Sequence, residues 1–508
     1  MGKIGKDCGT GRKLMIKYTS TRNKDIAVDS THAVLEGIAP DGGLFLPSDR
    51  DALRIDYKEI VKLDYREMAK KIFNVFLPDY SGALIDEIVE ESYRNKFTTD
   101  EITPLVSLSG GNILELFHGP TCAFKDVALS VLPNLMTKAA DITYFDRDIL
   151  VLTATSGDTG SAALYGFSGV QGTQIIVFYP TGGISETQRL QMITQTGSNV
   201  LACGIKGNFD DAQNGVKALF SKIPDPRPGV SLSSANSINI GRLIPQIVYY
   251  FYAYGRLLSR RIINLNDMIS FTVPTGNFGD IFAGYLAKLM GLPIDRLICA
   301  SNRNDVLTEF LLTGHYDRRR EFYRTTSPSM DILISSNLER LITLVCGAEK
   351  TKEYMRKLSD NGEYTISEEE LAEIKKTFVG VSANDADGAE AIGKIFRKES
   401  YLMDTHTSIA WACYEKIRES KILSGSAANV VLSTASPYKF SEAVLAALGE
   451  KSTGDDRMNI KILNKVTGID VPEPIKSIFH REKVHNDVIE AREMLDYVLN
   501  KIDAYHAR

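Results

Sequence analysis

The stretch HGPTCAFKDVALSVL, residues 118–132, places a lysine at the start of an apolar run. Lys125 follows Phe124, and the residues from Val127 onward have the composition of a buried helix, although lysine normally stays in water. An ordinary lysine is neutral in only about one molecule in 10³ at pH 7, whereas burial lowers its pKa and makes the amine a nucleophile or a base. Alternatively, the ammonium group reaches solvent while its stem lies on Phe124.

The segment TATSGDTGSAA, residues 153–163, combines glycines and hydroxyl side chains after a short β-rich run. Gly157 and Gly160 would let a ligand approach the backbone closely, Ser156 and Thr159 supply hydroxyls, and the helix that follows would offer free N–H groups to an anion. The same letters suit an ordinary strand-to-helix loop in which Ser, Asp and Thr are caps. The segment therefore predicts either an anion site or a routine turn.

The segment PTGNFGDIFAG, residues 274–284, is a second glycine loop between a strand-like run and a helical one. Gly276 and Gly279 would allow several N–H groups to face one phosphate, each bond contributing about 1.5–3 kcal/mol. The loop has no lysine, so it is not the loop of nucleotide hydrolases, and neither glycine loop matches G-x-G-x-x-G. This pattern favours a small phosphorylated ligand.

Hydroxyl side chains follow a third strand-like run in VVLSTASPYKF, residues 430–440. Thr434 or Ser436 can donate a hydrogen bond to a neutral pyridine nitrogen, although both also suit a plain strand end. A lysine able to form a Schiff base, a phosphate cradle and such a hydroxyl are together what pyridoxal phosphate requires. A hydroxyl partner gives a weaker electron sink than an aspartate, which favours elimination and replacement at the β and γ carbons.

Alternating strand and helix patterns from about residue 148 onward must position these segments. The runs DILVLTAT, TQIIVFYPT, NVLACGI and MISFTVP each precede a helical pattern. This alternation predicts an α/β fold with parallel sheets covered on both faces, and ligands bind such sheets at the carboxyl ends of strands.

A chain of 508 residues is too long for one compact core, so we expect two or three domains. We expect a disordered or cloning-derived start at 1–14 and an N-terminal α/β domain at 15–110. An α/β half with Lys125 and the SGDTG loop would span 111–270. A second half, 271–508, would hold the phosphate loop, a charged helical insertion at about 310–400 and a C-terminal helical segment.

Composition excludes several classes of function. The net charge of -5 gives no basic field for nucleic acid or anionic lipid, and no run approaches the roughly 20 apolar residues of a membrane span. The six cysteines form no C-x-x-C pair and the seven histidines no H-E-x-x-H motif, so we expect neither disulfides nor a metal site. Scattered cysteines and the lack of a secretory apolar segment indicate the cytoplasm.

Five motifs together resemble the threonine synthase family: HGPTCAFKD, TATSGDTGSAALYGF, NSINIGRLIPQIVYYFYAY, PTGNFGDIFAGYLAKLMGLP and STASPYKF. The early stretch TRNKDIAVDSTHAVLEGIAPDGGLFLP resembles the branch with the longer N-terminal domain, and the motif order fits from about 16 to 450. The resemblance implies the pyridoxal-phosphate fold type II of tryptophan synthase β. In that fold, two parallel-rich α/β sheet domains have the active site between them, here with an added N-terminal α/β domain.

The resemblance also implies roles for individual residues. Lys125 would be the Schiff-base lysine for pyridoxal 5'-phosphate, and Thr434 would face the pyridine nitrogen. The cofactor's phosphate would be held by Gly276, Asn277, Phe278, Gly279 and Asp280. The amino-acid substrate would meet Ser156, Gly157, Asp158 and Thr159, and its phosphate or carboxylate side would meet Asn236, Ser237 and Arg242.

Two positions depart from the family pattern. Thr405 stands where a proline often precedes the histidine, and Ser436 stands where a histidine is common. Both departures leave Lys125 untouched, but they weaken the case for functional roles of His406 and Ser436. We interpret His406 as structural.

The implied reaction converts O-phospho-L-homoserine and water to L-threonine and phosphate by γ-elimination and β-addition of water. The enzyme would be a carbon–oxygen lyase that acts on phosphates. The alternative is a threonine-synthase-like phospho-lyase that acts on a phosphorylated amino alcohol or amino acid without adding water. Lys125 argues against a binding protein without catalysis, and the missing loop lysine argues against a kinase. We expect a monomer or homodimer with a small-molecule substrate and without nucleic acid, membrane or metal partners.

Overall fold

The structure is a computed structural model that describes residues 16–182, 184–223 and 226–506. The start predicted at 1–14 lies outside these residues. The N-terminal region contains β1 (Tyr18–Ser20), β2 (Ala27–Val28), α1 (Ser30–Glu36), β3 (Phe45–Pro47), α2 (Tyr57–Ile60), α3 (Tyr65–Phe76) and α4 (Gly82–Tyr93). Its strands form an antiparallel sheet in the order β2-β1-β3.

The middle of the chain alternates strands and helices, as the sequence predicts. Its elements are β4 (Leu105–Leu108), β5 (Gly111–Glu115), α5 (Lys125–Leu129), α6 (Leu132–Thr143), β6 (Asp148–Ala154), α7 (Asp158–Phe167), β7 (Thr173–Pro180), α8 (Glu186–Ile193), β8 (Val200–Lys206), α9 (Phe209–Lys222), β9 (Val230–Ser233) and α10 (Ile240–Ser259).

The remaining elements continue the alternation with extra helices. They are β10 (Ile269–Pro274), α11 (Gly279–Leu289), β11 (Ile294–Ser301), α12 (Val306–Thr313), β12 (His315–Asp317), α13 (Leu338–Cys346), α14 (Ala348–Asp360), β13 (Glu363–Thr365), α15 (Glu368–Lys375), β14 (Phe378–Ser382), α16 (Asp385–Glu399), α17 (Thr405–Ile417), β15 (Ala428–Ser433), α18 (Ser441–Ala447), α19 (Asp456–Thr467), α20 (Glu473–Ile478), β16 (Val488–Glu490) and α21 (Met494–His506).

Two parallel-rich sheets form the body of the molecule. The smaller sheet has the order β16-β8-β7-β6-β9, with all neighbours parallel. The larger sheet has the order β14-β11-β10-β15-β5-β4 and is parallel except for the β4–β5 pair. Strands β7 and β10 are buried along their whole length because helices cover both faces. The predicted α/β fold class is confirmed.

The two sheets do not follow the predicted division of the chain at residue 270. Strand β5, assigned by sequence to the first half, pairs with β15 in the larger sheet. Strand β16, assigned to the second half, pairs with β8 in the smaller sheet. The charged segment at about 310–400 also supplies β14, an edge strand of the larger sheet. Tertiary packing, not nearness in sequence, decides which strands pair, so β5 and β16 each lie in the sheet formed mainly by the other predicted half.

Helix α10 lies among several helices and is buried along most of its length despite Pro245 in its interior. It packs against α3 of the N-terminal region and against α5 and α11, which flank the predicted site. Among the described residues, no helix combines the length and apolar character that crossing a membrane requires.

Helix α7 approaches the end of α5 so closely that only a glycine fits between them. A Cβ on Gly166 would lie 2.1 Å from the carbonyl oxygen of Leu129, the last residue of α5. We expect Gly166→Ala to destabilise the protein by about 1–3 kcal/mol, because a backbone has to move to admit the methyl group. Thermal or denaturant unfolding measures this loss of unfolding free energy.

Gly82→Ala is the matched control, because a Cβ at that helix position meets nothing within 4 Å. Its unfolding midpoint is expected to stay the same or to rise slightly. Equal midpoints for the two variants would contradict the close packing of α5 against α7.

Candidate active site

A cavity of about 530 Å³ collects loop segments from both sheets, a volume usual for a small-molecule site. Most of these segments follow the carboxyl ends of strands β6, β9, β10 and β15. Twelve residues predicted from sequence line it: Lys125, Ser156, Thr159, Asn236, Ser237, Arg242, Gly276, Asn277, Phe278, Gly279, Asp280 and Thr434. Gly157 and Asp158 are not part of this lining.

Lys125 opens helix α5 and points into the cavity with its side chain 12% exposed. The preceding residue is fixed beside Thr434, because the Phe124 amide donates to the Thr434 carbonyl oxygen at 2.8 Å. Burial lowers the pKa of Lys125 to about 8; Asp158 opposes this shift, and Arg242 and Lys439 add to it. The amine is therefore more available as a nucleophile and base than an ordinary lysine.

The SGDTG turn after β6 is fixed by one threonine. The Thr155 hydroxyl oxygen accepts from the amides of Gly157 and Gly160 at 3.0 and 2.9 Å. Gly157 has φ 135°, and a Cβ there would lie 2.5 Å from the carboxamide carbon of Gln188. The turn thus requires glycine at 157, and its Ser156 and Thr159 line the cavity.

Asp158 lies between two lysines, buried at the start of α7. Its Oδ1 lies 2.8 Å from Lys439 Nζ, and its Oδ2 lies 3.8 Å from Lys125 Nζ. Burial alone would raise the pKa of Asp158, but the charges of Lys439 and Lys125 and hydrogen bonds from Lys439 and Gln188 bring it well below its ordinary value. This carboxylate stays ionised and acts on Lys125 rather than lining the cavity.

The loop after β10 is held by its backbone. The Gly276 carbonyl oxygen accepts from the Ser335 hydroxyl at 2.9 Å, and the Asn277 carbonyl oxygen accepts from the Asn337 amide at 3.0 Å. A Cβ on Gly276 would lie 2.4 Å from the Ser329 carbonyl oxygen. Phe278 has φ 62°, and α11 begins directly after it, so the free N–H groups of a helix start belong to this loop.

The Asp280 side chain is turned toward two tyrosines of α10. Its Oδ1 accepts from the hydroxyls of Tyr249 and Tyr250 at 2.5 and 2.9 Å, and Oδ2 has no partner among the described residues. Burial raises the pKa of Asp280 to about 6, against the two tyrosine hydrogen bonds. Because a carboxylate repels phosphate, the contribution of Asp280 to an anion site comes from its backbone at the start of α11.

Arg242 is an unusual buried cation in the first turn of α10. It is 2% exposed, its Nη1 donates to the Ala235 carbonyl oxygen at 2.6 Å, and its Nε has no partner in the described part of the chain. Burial lowers its pKa to about 10. Asn236 and Ser237 line the same side of the cavity. An unused N–H on a buried guanidinium is suited to an anionic ligand group.

Both ring nitrogens of His406 have partners in the protein. Nδ1 faces Asp404 Oδ1 at 2.9 Å, and Nε2 accepts from the Ser329 amide at 3.1 Å. The Ser436 hydroxyl oxygen accepts from the Tyr438 amide at the start of a short turn. These contacts support the structural interpretation of His406, although it lines the cavity.

Sequence reasoning missed three charged groups around the site. Lys439 stands in the motif STASPYKF, and a lysine between aromatic residues could have been noticed there. Arg22 of the N-terminal region forms a two-point ion pair with Glu339 of α13, and both line the cavity. No local signal connects these two, because 317 residues separate them.

The chemistry of this site fits pyridoxal phosphate. Gly276 and Gly279 bring the backbone of the loop after β10 to the cavity wall, where close packing leaves no room for a side chain at Gly276. Helix α11 starts at the same point, and a lysine of lowered pKa shares the cavity with Thr434. Together with the two parallel-rich sheets, this site defines a pyridoxal-phosphate-dependent enzyme of fold type II.

Comparison with known proteins shows which family of pyridoxal-phosphate enzymes the chain belongs to. A model described as pyridoxal-phosphate dependent enzyme matches residues 101–435, and models described as threonine synthase N terminus and threonine synthase, C-terminal match residues 17–93 and 407–496. The chain belongs to the threonine synthase family. Its cofactor is pyridoxal phosphate, and it is a lyase.

Three relatives show the extent of the similarity. Threonine synthase of Pseudomonas aeruginosa is 39% identical over 84% of this chain and 90% of its own. The crystal structure of PLP-bound threonine synthase from Brucella melitensis is 37% identical, with a TM-score of 0.83 over 96% of this chain and 99% of that one. Threonine synthase-like 1 of Homo sapiens is 36% identical over 84% of this chain and 58% of its own.

The lowered pKa of Lys125 predicts how fast the cofactor-free protein captures pyridoxal phosphate. Only the neutral amine attacks an aldehyde, so with a pKa of about 8 the capture rate should rise with pH and level off above that value. An ordinary lysine would keep accelerating until about pH 10.4. Stopped-flow absorbance measures the rate from pH 6 to 10.

Lys125→Ala provides the control for this measurement. It should show no band from covalently attached cofactor and no trapping by borohydride. A wild-type midpoint near the ordinary lysine value, or covalent trapping in the variant, would contradict the assignment of the capturing amine.

Proposed function

We propose that the protein is a threonine synthase that converts O-phospho-L-homoserine and water to L-threonine and phosphate. The observation that carries the proposal is the sharing of one cavity by Lys125, the glycine loop after β10 and the buried cation Arg242. Membership of the threonine synthase family supports the same reaction.

Each part of the cavity has a proposed task toward the cofactor. Lys125 would bind the aldehyde, and Thr434 would donate to the pyridine nitrogen. The phosphate would rest on the backbone of Gly276, Asn277, Phe278, Gly279 and Asp280. When bound, pyridoxal phosphate makes the protons of the substrate's α and β carbons acidic.

Lys125 is the proposed carrier of protons. Once the substrate's amine has replaced it, its pKa of about 8 lets a useful fraction stay neutral near neutral pH. It would remove the α proton and then a β proton, phosphate would leave the γ carbon, and protons would return at the γ and α carbons. Water adds at the β carbon, which completes threonine. Bulk water has to be kept out until then, because early release would yield 2-oxobutanoate.

The substrate's anionic groups have proposed partners of matching charge. Arg242 would bind the phosphate with the help of Asn236 and Ser237. Ser156 and Thr159, with the backbone of Gly157 and Asp158, would bind the carboxylate side. The helix start at α7 supports this second site, since free N–H groups there favour an anion.

Product analysis tests the reaction. Purified protein supplied with O-phospho-L-homoserine should release phosphate and L-threonine in equal amounts, and Lys125→Ala should release neither at a detectable rate. The alternative is a threonine-synthase-like phospho-lyase that acts on a phosphorylated amino substrate without adding water. Phosphate released with 2-oxobutanoate or another product instead of threonine would favour that alternative and overturn the proposal.

The role of Arg242 predicts a selective kinetic defect. Losing a charge-assisted hydrogen bond costs about 1.5–3 kcal/mol, so Arg242→Met should lower kcat/KM for O-phospho-L-homoserine by roughly 10- to 150-fold. Inhibition by L-homoserine, which lacks the phosphate, should change little if Arg242 binds phosphate.

Arg256→Met is the matched control on the same helix, where the guanidinium lies over the Tyr252 ring at 4.9 Å. It should leave kcat/KM near the wild-type value. Wild-type kcat/KM in folded Arg242→Met protein would remove Arg242 from the substrate site, and an equal loss of L-homoserine binding would assign it to the carboxylate.

We also propose a cytoplasmic location and a monomeric or homodimeric state. Five cysteines in the described residues are free thiols, which agrees with a reducing compartment. Fluorescent tagging tests the location, and light scattering tests the oligomeric state.

A further inference from the structure

Lys439 is a fully buried lysine that the proposed reaction does not use. It lies in a short 3₁₀ turn, Pro437–Phe440, just after the Thr434 segment, and is 0% exposed. Its Nζ lies 2.8 Å from Asp158 Oδ1 and donates to the Thr121 carbonyl oxygen at 2.8 Å. Because lysine is almost never fully buried without a partner, these contacts have to compensate for its burial.

These two contacts connect three segments of the site: the turn that carries Lys439, the segment that carries Lys125 and the SGDTG turn. Thr121 belongs to the segment that ends in Lys125, and Asp158 belongs to the SGDTG turn. Gln191 of α8 also donates to the Thr121 carbonyl oxygen, at 2.9 Å. Lys439 therefore holds the Lys125 segment and the SGDTG turn at a fixed separation.

The Asp158 carboxylate is divided between the two lysines. Its Oδ1 is taken by Lys439 and by Gln188 Nε2 at 2.9 Å. Its Oδ2 faces Ser329 Oγ at 3.5 Å and Lys125 Nζ at 3.8 Å, which is longer than a hydrogen bond. Asp158 thus attracts Lys125 without forming a tight ion pair with it.

We propose that Lys439 is a positioning residue that holds Asp158 away from Lys125 and so keeps the Lys125 nitrogen free to lose its proton. It acts through Asp158 and by its own charge, and it does not touch the reacting atoms. The proposal rests on the assignment of Lys125 as the cofactor-binding amine.

The other charged groups near Lys125 form no ion pair with it among the described residues, and their hydrogen bonds go to other partners. Asp126 of α5 accepts from the Thr121 amide and hydroxyl at 2.8 and 2.6 Å, and Asp280 of α11 accepts from two tyrosines. Burial raises the pKa of the Cys122 thiol to about 12, so it is neutral. Arg242 of α10 is a fixed cation. Asp158 is therefore the carboxylate that matters here, because Lys439 controls its distance from Lys125.

Replacing Lys439 by an uncharged residue has two effects of the same sign. A positive neighbour of Lys125 is lost, and Asp158 Oδ1 is freed to pair with Lys125. Both effects favour the protonated form of the Lys125 nitrogen, whether as the free amine or as the cofactor-bound nitrogen. The pH at which that nitrogen loses its proton should therefore rise. A lysine that served only to hold the fold together would leave this midpoint unchanged.

The test is a spectrophotometric pH titration of the cofactor band in the holoenzyme. Lys439→Met should raise the midpoint by at least about one pH unit, a tenfold change in the proton equilibrium. Asp158→Asn should lower it. In the double variant most of the Lys439 effect should vanish, because a residue that acts through Asp158 is not additive with its loss.

Lys394→Met is the control, since Lys394 forms a surface ion pair with Glu415, and its midpoint should match the wild type. An unshifted midpoint in folded Lys439→Met holoenzyme would overturn the proposal. If that variant does not fold, Lys439→Gln replaces it under the same criterion. Failure of the Lys125 assignment is distinguishable, because then Lys125→Ala would keep the band.

Discussion

A buried carboxylate shared by two lysines holds together the segments that make the active site. Asp158 contacts Lys439 at 2.8 Å and Lys125 at 3.8 Å, and Lys439 in turn binds the backbone of the Lys125 segment. Removing Asp158 or Lys439 would leave a buried charge without its partner, which is costly. The arrangement fixes the position of the Lys125 amine relative to the SGDTG turn.

A second set of buried charges joins the N-terminal region to the glycine loop after β10. Glu339 binds Arg22, and the neighbouring Arg340, fully buried, donates to the Phe45 carbonyl oxygen at 3.0 Å. Asn337, at the start of the same helix, holds the Asn277 carbonyl oxygen. The N-terminal region is therefore connected through α13 to the loop proposed to hold the cofactor's phosphate. The N-terminal region therefore helps to position this loop.

The sequence predicted the alternating fold and the residues of the cavity because those signals are local. A glycine loop that follows a strand and precedes a helix, as at Gly276 or Gly157, lies at the carboxyl end of that strand in a parallel sheet. Lys125 was conspicuous because its neighbours are apolar. The roles assigned to these residues stay predictions, as do the domain boundaries.

The missed features depend on contacts between distant parts of the chain. The pairing of β5 with β15 and of Arg22 with Glu339 joins residues more than 300 positions apart, and nothing in either local pattern specifies the partner. The short strands β12 and β13 lie in a charged segment whose helical pattern hid them. The orientation of Asp280 toward Tyr249 and Tyr250 could be seen only in the structure, because its place in the loop suggested a phosphate contact.

The strand order of the larger sheet has a consequence for synthesis on the ribosome. Strand β15 lies between β10 and β5, so the sheet lacks a central strand until residue 433 has been made. Until then β5 has only its antiparallel neighbour β4, and β10 exposes an open apolar edge. The nascent chain thus carries two unfinished half-sheets from the completion of β11 at residue 301 until residue 433 has been made, and their open strand edges can pair with other chains during that interval.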